Sequence, residues 1–549
     1  MVRIFCKNNS SYKEFPEGTT LLEMIPSFGL DDPLPFICAK VNNVLQGLKY
    51  KAYNSRDVEF LTYSSYGGRS VFCRSLCFLL CKAAGDVLPG CKVALRRPIS
   101  KGYFCKLRRD APPTEEELQA IRSRMEALVR ADLPFKRVEA RTEDAIGLFR
   151  ALGHDDKVKL LETCDQLYIS YHILDGMPDY WYDALLPSTG YLINWDLSLF
   201  KDGLLLRVPD RHNPSSPTVY VEQPKTYEVF NENLSWNSIM GLETVGDVNK
   251  AILRGESSDL IRISEALQEK KIVRIAEEID RRYRAGSLKL VLITGPSSSG
   301  KTTVTSRLCT QLKACGLKPS AISTDDYFVD RVKTPKLPDG SYDFDNCDTV
   351  EHDLMQKDII RMLDGEEVRV PEFNFVTGLR EYNGKTVHLK EGCILIVEGI
   401  HALNPALTSM IDEQAKFKIF INTIVSIPLD NHNCIPTSDN RLLRRIVRDF
   451  NKGAFTARQS IAAWPMVRRN EVKWIYPFQE TADVLFNSAY LVEFAVLRSR
   501  AEQVLGTVPR NCPEYGEAHR LLKFLSYFRQ VDDREIPPTS LLREFVGGR

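Results

Sequence analysis

The strongest constraint on this chain is the run Gly295, Pro296, Ser297, Ser298, Ser299, Gly300, Lys301 and Thr302, followed by Thr303. It fits the pattern G-x-x-x-x-G-K-[ST], a loop whose glycines let successive backbone N–H groups turn inward on phosphate oxygens. Both flanks agree with that reading. Leu288–Ile293 is apolar apart from Lys289, as expected of a strand covered on both faces of a parallel sheet. Val304, Leu308 and Leu312 then recur at helical spacing. Strand, loop and helix together predict an α/β domain that holds ATP, with the positive end of the helix toward the phosphates. In such a loop Lys301 reaches the β- and γ-phosphates and the Thr302 hydroxyl binds Mg2+. The loop does not name the phosphate acceptor.

Carboxylates downstream stand where an acceptor would be. Ser320–Thr324 reads as a modest strand ending at Asp325-Asp326-Tyr327-Phe328, and ligands gather at the carboxyl ends of strands in open α/β sheets. Asp325 is thus placed to take a proton from a hydroxyl; the spacing fits a turn or N-cap aspartate equally well. Glu398 closes the apolar strand Ile394–Val397. It can hold Mg2+ directly or through water, or be a strand-end carboxylate. Arg441, Arg444, Arg445 and Arg448 share one helical face. Four such cations repel unless anions lie opposite them, and a transferring phosphate is such an anion. A salt-bridged helix, with Asp439 and Asp449 near, is the other reading.

With 549 residues, 43% of them hydrophobic, the chain can build several cores. Lys and Arg number 73 against 72 Asp and Glu, a formal net charge of +1. That balance removes any global electrostatic reason to bind nucleic acid or membrane. No run approaches the ~20 apolar residues of a membrane helix, and Met1–Phe5 opens no signal-peptide pattern. The 14 cysteines include no Cys-x-x-Cys pair, and the expected compartment is a reducing cytoplasm. Cys73, Cys77 and Cys81 fall on one helical stripe and are expected in a core.

The chain reads as a multidomain α/β protein. Residues 1–63 form a small α/β unit and residues 64–233 a mixed α+β region with an amphipathic helix over Glu115–Val129. Residues 234–287 form a helical connector, 288–500 a domain with a parallel sheet, and 501–549 a helical extension.

Several segments in order resemble the uridine kinase branch of the phosphoribulokinase/uridine kinase family. They are Gly295–Thr302, Ser323–Tyr327, Tyr342–Asp348, Phe373–Gly378, Val397–Ile400 and the arginine helix 441–448. The resemblance implies that Asp325 is the general base for a nucleoside 5′-hydroxyl and that Asp345 helps hold the ribose. It further implies that Tyr327, Phe373 and Arg441 border the substrate, that Thr302 and Glu398 serve Mg2+, and that the arginines sit on a closing lid. In uridine–cytidine kinases the segment matching Phe373–Gly378 usually begins with tyrosine and ends with histidine, and these read the pyrimidine. Phe373 and Gly378 offer neither group.

The front half carries its own likeness. Residues 1–63 resemble a TGS domain, a β-grasp module. Arg74–Ala83 and Ile99–Phe104 place residues from about 64 to 225 beside the second additional domain of threonyl-tRNA synthetases. There a His-x-x-x-His helps form a zinc-dependent editing site. Here the two places are Arg74 and Phe78, neither a zinc ligand, and no zinc or editing activity is expected. His154, His172 and His212 lack ligand spacing. The domain order, and the ending Ile536–Gly548, resemble a bacterial group of long uridine kinase-like proteins. A nucleoside is the expected acceptor. Alternatives are another small hydroxyl compound, with Arg331 and Lys333 near enough to meet a phosphate, or a nucleotide-sensing regulator. In the last case RNA contacts would run through the front domains, with Arg96-Arg97, Lys106, Arg108 and Arg109 as a local basic patch.

Overall fold

The computed structural model describes residues 1–211, 213–337 and 340–547, without the side chains of residues 97–99. His212, Gly548 and the side chain of Arg97 therefore lie outside the described residues.

The first unit is a five-stranded sheet in the order Ser11–Phe15, Val2–Cys6, Arg56–Leu61, Cys38–Val41, Val44–Gly47. Val2–Cys6 and Arg56–Leu61 pair in parallel. Helix Leu21–Phe28 buries Leu21, Met24 and Phe28. It starts where Thr20 and Glu23 exchange side-chain and backbone hydrogen bonds, a capping box that satisfies two otherwise orphaned N–H groups. The second unit wraps around the helix Tyr66–Val87, which is buried from Val71 to Cys81. Cys73, Cys77 and Cys81 lie in that core.

Helix Pro224–Ile239 follows, with proline in its first turn, where a missing N–H costs nothing. The boundary expected at 233–234 falls inside this helix, so the connector begins about ten residues earlier. The helix Ser257–Arg284 then buries Ile272, Ile275 and Ile279.

The C-terminal domain contains β1 (Leu290–Thr294), α1 (Lys301–Ala314), β2 (Lys318–Ser323), β3 (Cys393–Glu398), β4 (Lys416–Asn422), α2 (Thr437–Asn451), α3 (Ala457–Trp474), β5 (Val484–Asn487) and α4 (Glu493–Leu505). The sheet order is β2-β3-β1-β4-β5, and every neighbouring pair is parallel. β1 is central and buried at all five positions, which is why it is apolar from Leu290 to Ile293. From β1 the chain moves to the β2 edge, while from β3 it crosses to β4 on the other side. The carboxyl ends of β1 and β3 thus flank a switch point, where open α/β sheets form their binding crevice. Arg307 of α1 pairs with Glu265 (3.1 Å) and Glu269 (2.5 Å), fixing α1 against the connector helix.

Candidate functional site

The loop after β1 and Glu398 at the end of β3 meet in this crevice. Lys301 Nζ donates to the carbonyls of Gly295 (3.0 Å) and Pro296 (3.4 Å). Burial lowers the Lys301 pKa, against the pull of Glu398 and Asp325. The Thr302 hydroxyl donates to Glu398 Oε1 at 3.4 Å. Glu398 Oε2 is buried without a hydrogen-bond partner among the described residues, as are the Ser298 and Ser299 hydroxyls. Burial likewise raises the pKa of Glu398, with Lys301 opposing it. Lys301, the Glu398 carboxylate and the Ser298 and Ser299 hydroxyls thus form a polar cradle, in which Glu398 Oε2 and the two hydroxyls have no partner among the described residues.

Asp325 sits in the tight turn Thr324–Tyr327 that ends β2. Its N–H donates to Ser323 Oγ at 3.2 Å, and Thr324 Oγ1 donates to its carboxylate at 3.4 Å. Burial raises its pKa, with Lys301 pulling it back. Asp325, Lys301 and Glu398 therefore form one electrostatic group at the strand ends. Asp345 is half-buried, and desolvation raises its pKa to about 6 despite Arg445 nearby.

Oxygen donors suit a hard cation. Thr302 Oγ1 and the unpartnered Glu398 carboxylate oxygen supply two, and phosphate oxygens of a bound nucleotide would supply more. These residues fit Mg2+. Among the described residues no group of three or more His, Cys, Asp or Glu is arranged to hold a metal by itself.

Tyr327 departs from the expectation. It is fully buried, and its hydroxyl donates to Asp358 at 3.3 Å. The tight turn places its ring in the core with Ile322, Val350 and Ile359. The arginine helix departs as well. Arg441 and Arg444 are fully buried. Arg441 makes a bidentate pair with Glu471, one bond at 2.8 Å, and Arg444 one with Glu493, one bond at 2.7 Å. Arg441 also donates to the carbonyl of Ser297 at 3.1 Å, and Arg444 to that of Ser298 at 3.4 Å. These two brace the phosphate loop from beneath and do not ride on a lid, because each carries its own carboxylate. Arg445 and Arg448 share Asp449 and remain part-exposed.

Phe373 lies in the hairpin Glu372–Asn374/Leu379–Glu381. It packs edge-on to Phe328 (centroids 5.5 Å apart) and Phe375 (5.1 Å), and Phe375 is 62% exposed. Gly378 has φ +75°, and a Cβ there would stand 2.9 Å from Arg331 Nε. Arg331 fills that space, donating from its N–H to Gly378 O (2.8 Å) and from Nη2 to Phe375 O (2.5 Å).

Sequence reasoning missed Glu471, Glu493 and His401, and named Arg331 only as a residue near enough to meet a phosphate-bearing acceptor. Glu471 and Glu493 have no local pattern. Arg331 carried only a spacing argument. His401 follows Glu398 by three residues, a signal that was available. It is 1% exposed, neither ring nitrogen has a hydrogen-bond partner among the described residues, and burial lowers its pKa to about 4.

The two places compared with the synthetase histidines are occupied by charge and packing: Arg74 pairs with Asp183 at 3.3 Å, and Phe78 packs at a tilt against Phe135 and Trp181. Lys106, Arg108 and Arg109 are each paired, with Asp202, Glu243 and Glu117.

Sheet order, phosphate loop and strand-end carboxylates define a P-loop kinase domain. Residues 290–494 match the Phosphoribulokinase / Uridine kinase family, and the C-terminal part of the chain is a domain of that family. The N-terminal region is similar to the threonine–tRNA ligase of Desulforamulus reducens, 28% identical over 193 residues, which make up 35% of this chain and 30% of the ligase. The chain thus spans less than a third of the length of the curated relatives it matches. Among solved structures, it is similar to one from Bacillus stearothermophilus described as "a Possible Uridine Kinase" (17% identity, TM-score 0.24, 37% of this chain and 89% of that one). It is also similar to the D-glycerate 3-kinase of Cryptococcus neoformans (11% identity, TM-score 0.23, 47% and 87%). No helix among the described residues is long and apolar enough to cross a membrane.

Proposed function

We propose that the protein is an ATP-dependent nucleoside kinase that transfers the γ-phosphate to a nucleoside 5′-hydroxyl. The observation that carries this reading is the half-buried Asp325 carboxylate, within electrostatic reach of Lys301 and Glu398 at the ends of adjacent strands. Asp325 accepts the 5′-hydroxyl proton as that oxygen attacks the γ-phosphorus. The bond to the β-phosphate oxygen breaks, leaving ADP and a nucleoside monophosphate. Lys301 turns from its own loop carbonyls to the phosphate oxygens, and Arg445 and Arg448 add positive charge to the same crevice. Thr302 and Glu398 would hold Mg2+, which would supply positive charge against the phosphate oxygens. Asp345 accepts ribose hydroxyls, and Phe373 and Phe375 give the base an aromatic face.

A second reading keeps the chemistry with another small hydroxyl acceptor that carries an anion. The Arg331 guanidinium beside the exposed Phe375 favours it.

The test is a panel of nucleosides and phosphorylated sugars with ATP and Mg2+. A nucleoside monophosphate product is expected. Asp325→Asn should lower kcat by about 10²–10⁴-fold with ATP affinity kept. Product from a phosphorylated sugar alone would select the second reading, and no product with any acceptor would reject both.

A further inference from the structure

The segment Ser540–Val546 lies outside the family-matched residues 290–494, yet it forms part of the wall of the phosphate loop. Leu541 is fully buried and packs so closely on Gly300 that a Cβ there would stand 2.6 Å from Leu541 Cδ1. Phe545 is also fully buried. The Arg444 guanidinium lies 4.7 Å from its ring centroid, and Asn451 Nδ2 donates to its carbonyl at 2.8 Å. Contacts on both sides thus hold Glu544 in place. Its Oε2 accepts from the Thr303 hydroxyl at 2.6 Å. Thr303 belongs to the first turn of α1, the end that carries the positive partial charge of the helix. Lys301 and Glu398 both lie within electrostatic reach of Glu544. A carboxylate therefore stands at the helix end that the phosphates of a nucleotide must approach.

We propose that Glu544 is a residue of the nucleotide site, a fixed counter-charge that weakens the hold of the loop on nucleotide phosphates. The proposal rests on nucleotide binding at this loop and not on the identity of the acceptor. Carboxylate and phosphates are both anions, and both draw on Lys301 and the first turn of α1. The loop cradle alone would hold ADP tightly after transfer, and release of product commonly limits kinase turnover. A carboxylate built into the wall opposes that hold. Its effect must increase with the charge of the nucleotide, whereas a purely structural anchor would act alike on all nucleotides.

The test uses the full chain. Glu544→Gln keeps an oxygen for Thr303 and nearly the same shape but removes the charge. Dissociation constants for ATP, ADP and AMP are measured by calorimetry at low and high salt. The variant is expected to bind ATP about tenfold tighter, as for one unit charge several ångströms away in an intermediate dielectric. The gain should be smaller for ADP and smallest for AMP, and should shrink as salt is raised. Glu544→Ala should keep the same order among the three nucleotides and serves if the glutamine variant is poorly folded. ATP binding unchanged or weakened in a variant with the wild-type melting temperature would overturn the proposal. So would an equal gain for all three nucleotides, which would mean only that the loop had loosened. Because the readout is nucleotide affinity, it can fail while a nucleoside is still phosphorylated, and it can hold even if the acceptor proves to be a different hydroxyl compound.

Discussion

Asp345 shows how one half-buried carboxylate ties stability to pH. Its pKa lies near 6 in the folded protein against the ordinary 3.8, because burial outweighs the attraction of Arg445, with Glu471, Asp343 and Asp325 adding repulsion. Between those two values the folded protein binds a proton that the unfolded chain has released. Stability from this group therefore falls as pH rises through about 4 to 6, and the full penalty is present above 6. Asp345→Asn should make the protein more resistant to denaturant than wild type above pH 6, with no difference below pH 4. On the proposed role of Asp345 at the ribose, kcat/KM for the acceptor in the wild type should fall below pH 6 as the ionised form is lost, and pH profiles on both proteins check the pair. The presence of Asp345 is plain in the sequence, but its burial is not, since Tyr342–Asp348 has no periodicity that assigns a face.

At the scale of elements, the hairpin Glu372–Glu381 owes its shape to Gly378 and Arg331. A left-handed residue with no room for a side chain admits glycine alone without strain. Gly378→Ala should cost about 1–2 kcal/mol and push Arg331 off the hairpin. The expected kinetic result is a raised KM for the acceptor at an unchanged Kd for ATP, read by steady-state kinetics beside calorimetry. The buried strands of the C-terminal sheet were legible from sequence because strands covered on both faces are apolar throughout. α2 was legible as a helix, with its arginines correctly on one face. What lies opposite that face was not, because Glu471 and Glu493 come from α3 and α4, 30 and 49 residues away from their partners.

Across the whole molecule, the second unit grips the segment between β4 and α2. Lys157 is fully buried between Asp179 (3.0 Å) and Asp430 (3.2 Å). His432 Nδ1 meets Asp179 at 2.7 Å, and the His432 ring stacks on Trp181. The Leu95 N–H donates to Asn431 O at 2.7 Å. Burial alone would lower the Lys157 pKa, but Asp179 and Asp430 raise it. Lys157→Met removes the shared cation and leaves two buried carboxylates facing each other. It should cost about 3–5 kcal/mol, measured as a lowered denaturant midpoint. The same grip ties the front half to the helix that braces the phosphate loop.

The sequence by itself determined the strand, loop and helix that cradle phosphate and the parallel sheet around them. Each of these is written in local spacing or in an unbroken apolar run. Tertiary structure alone decided that Tyr327 turns inward, that Arg441 and Arg444 are neutralised and buried, and that Ser540–Val546 returns to the loop. Those outcomes depend on which distant side chain occupies the facing space, and the burial of a charge is settled by the partner that meets it.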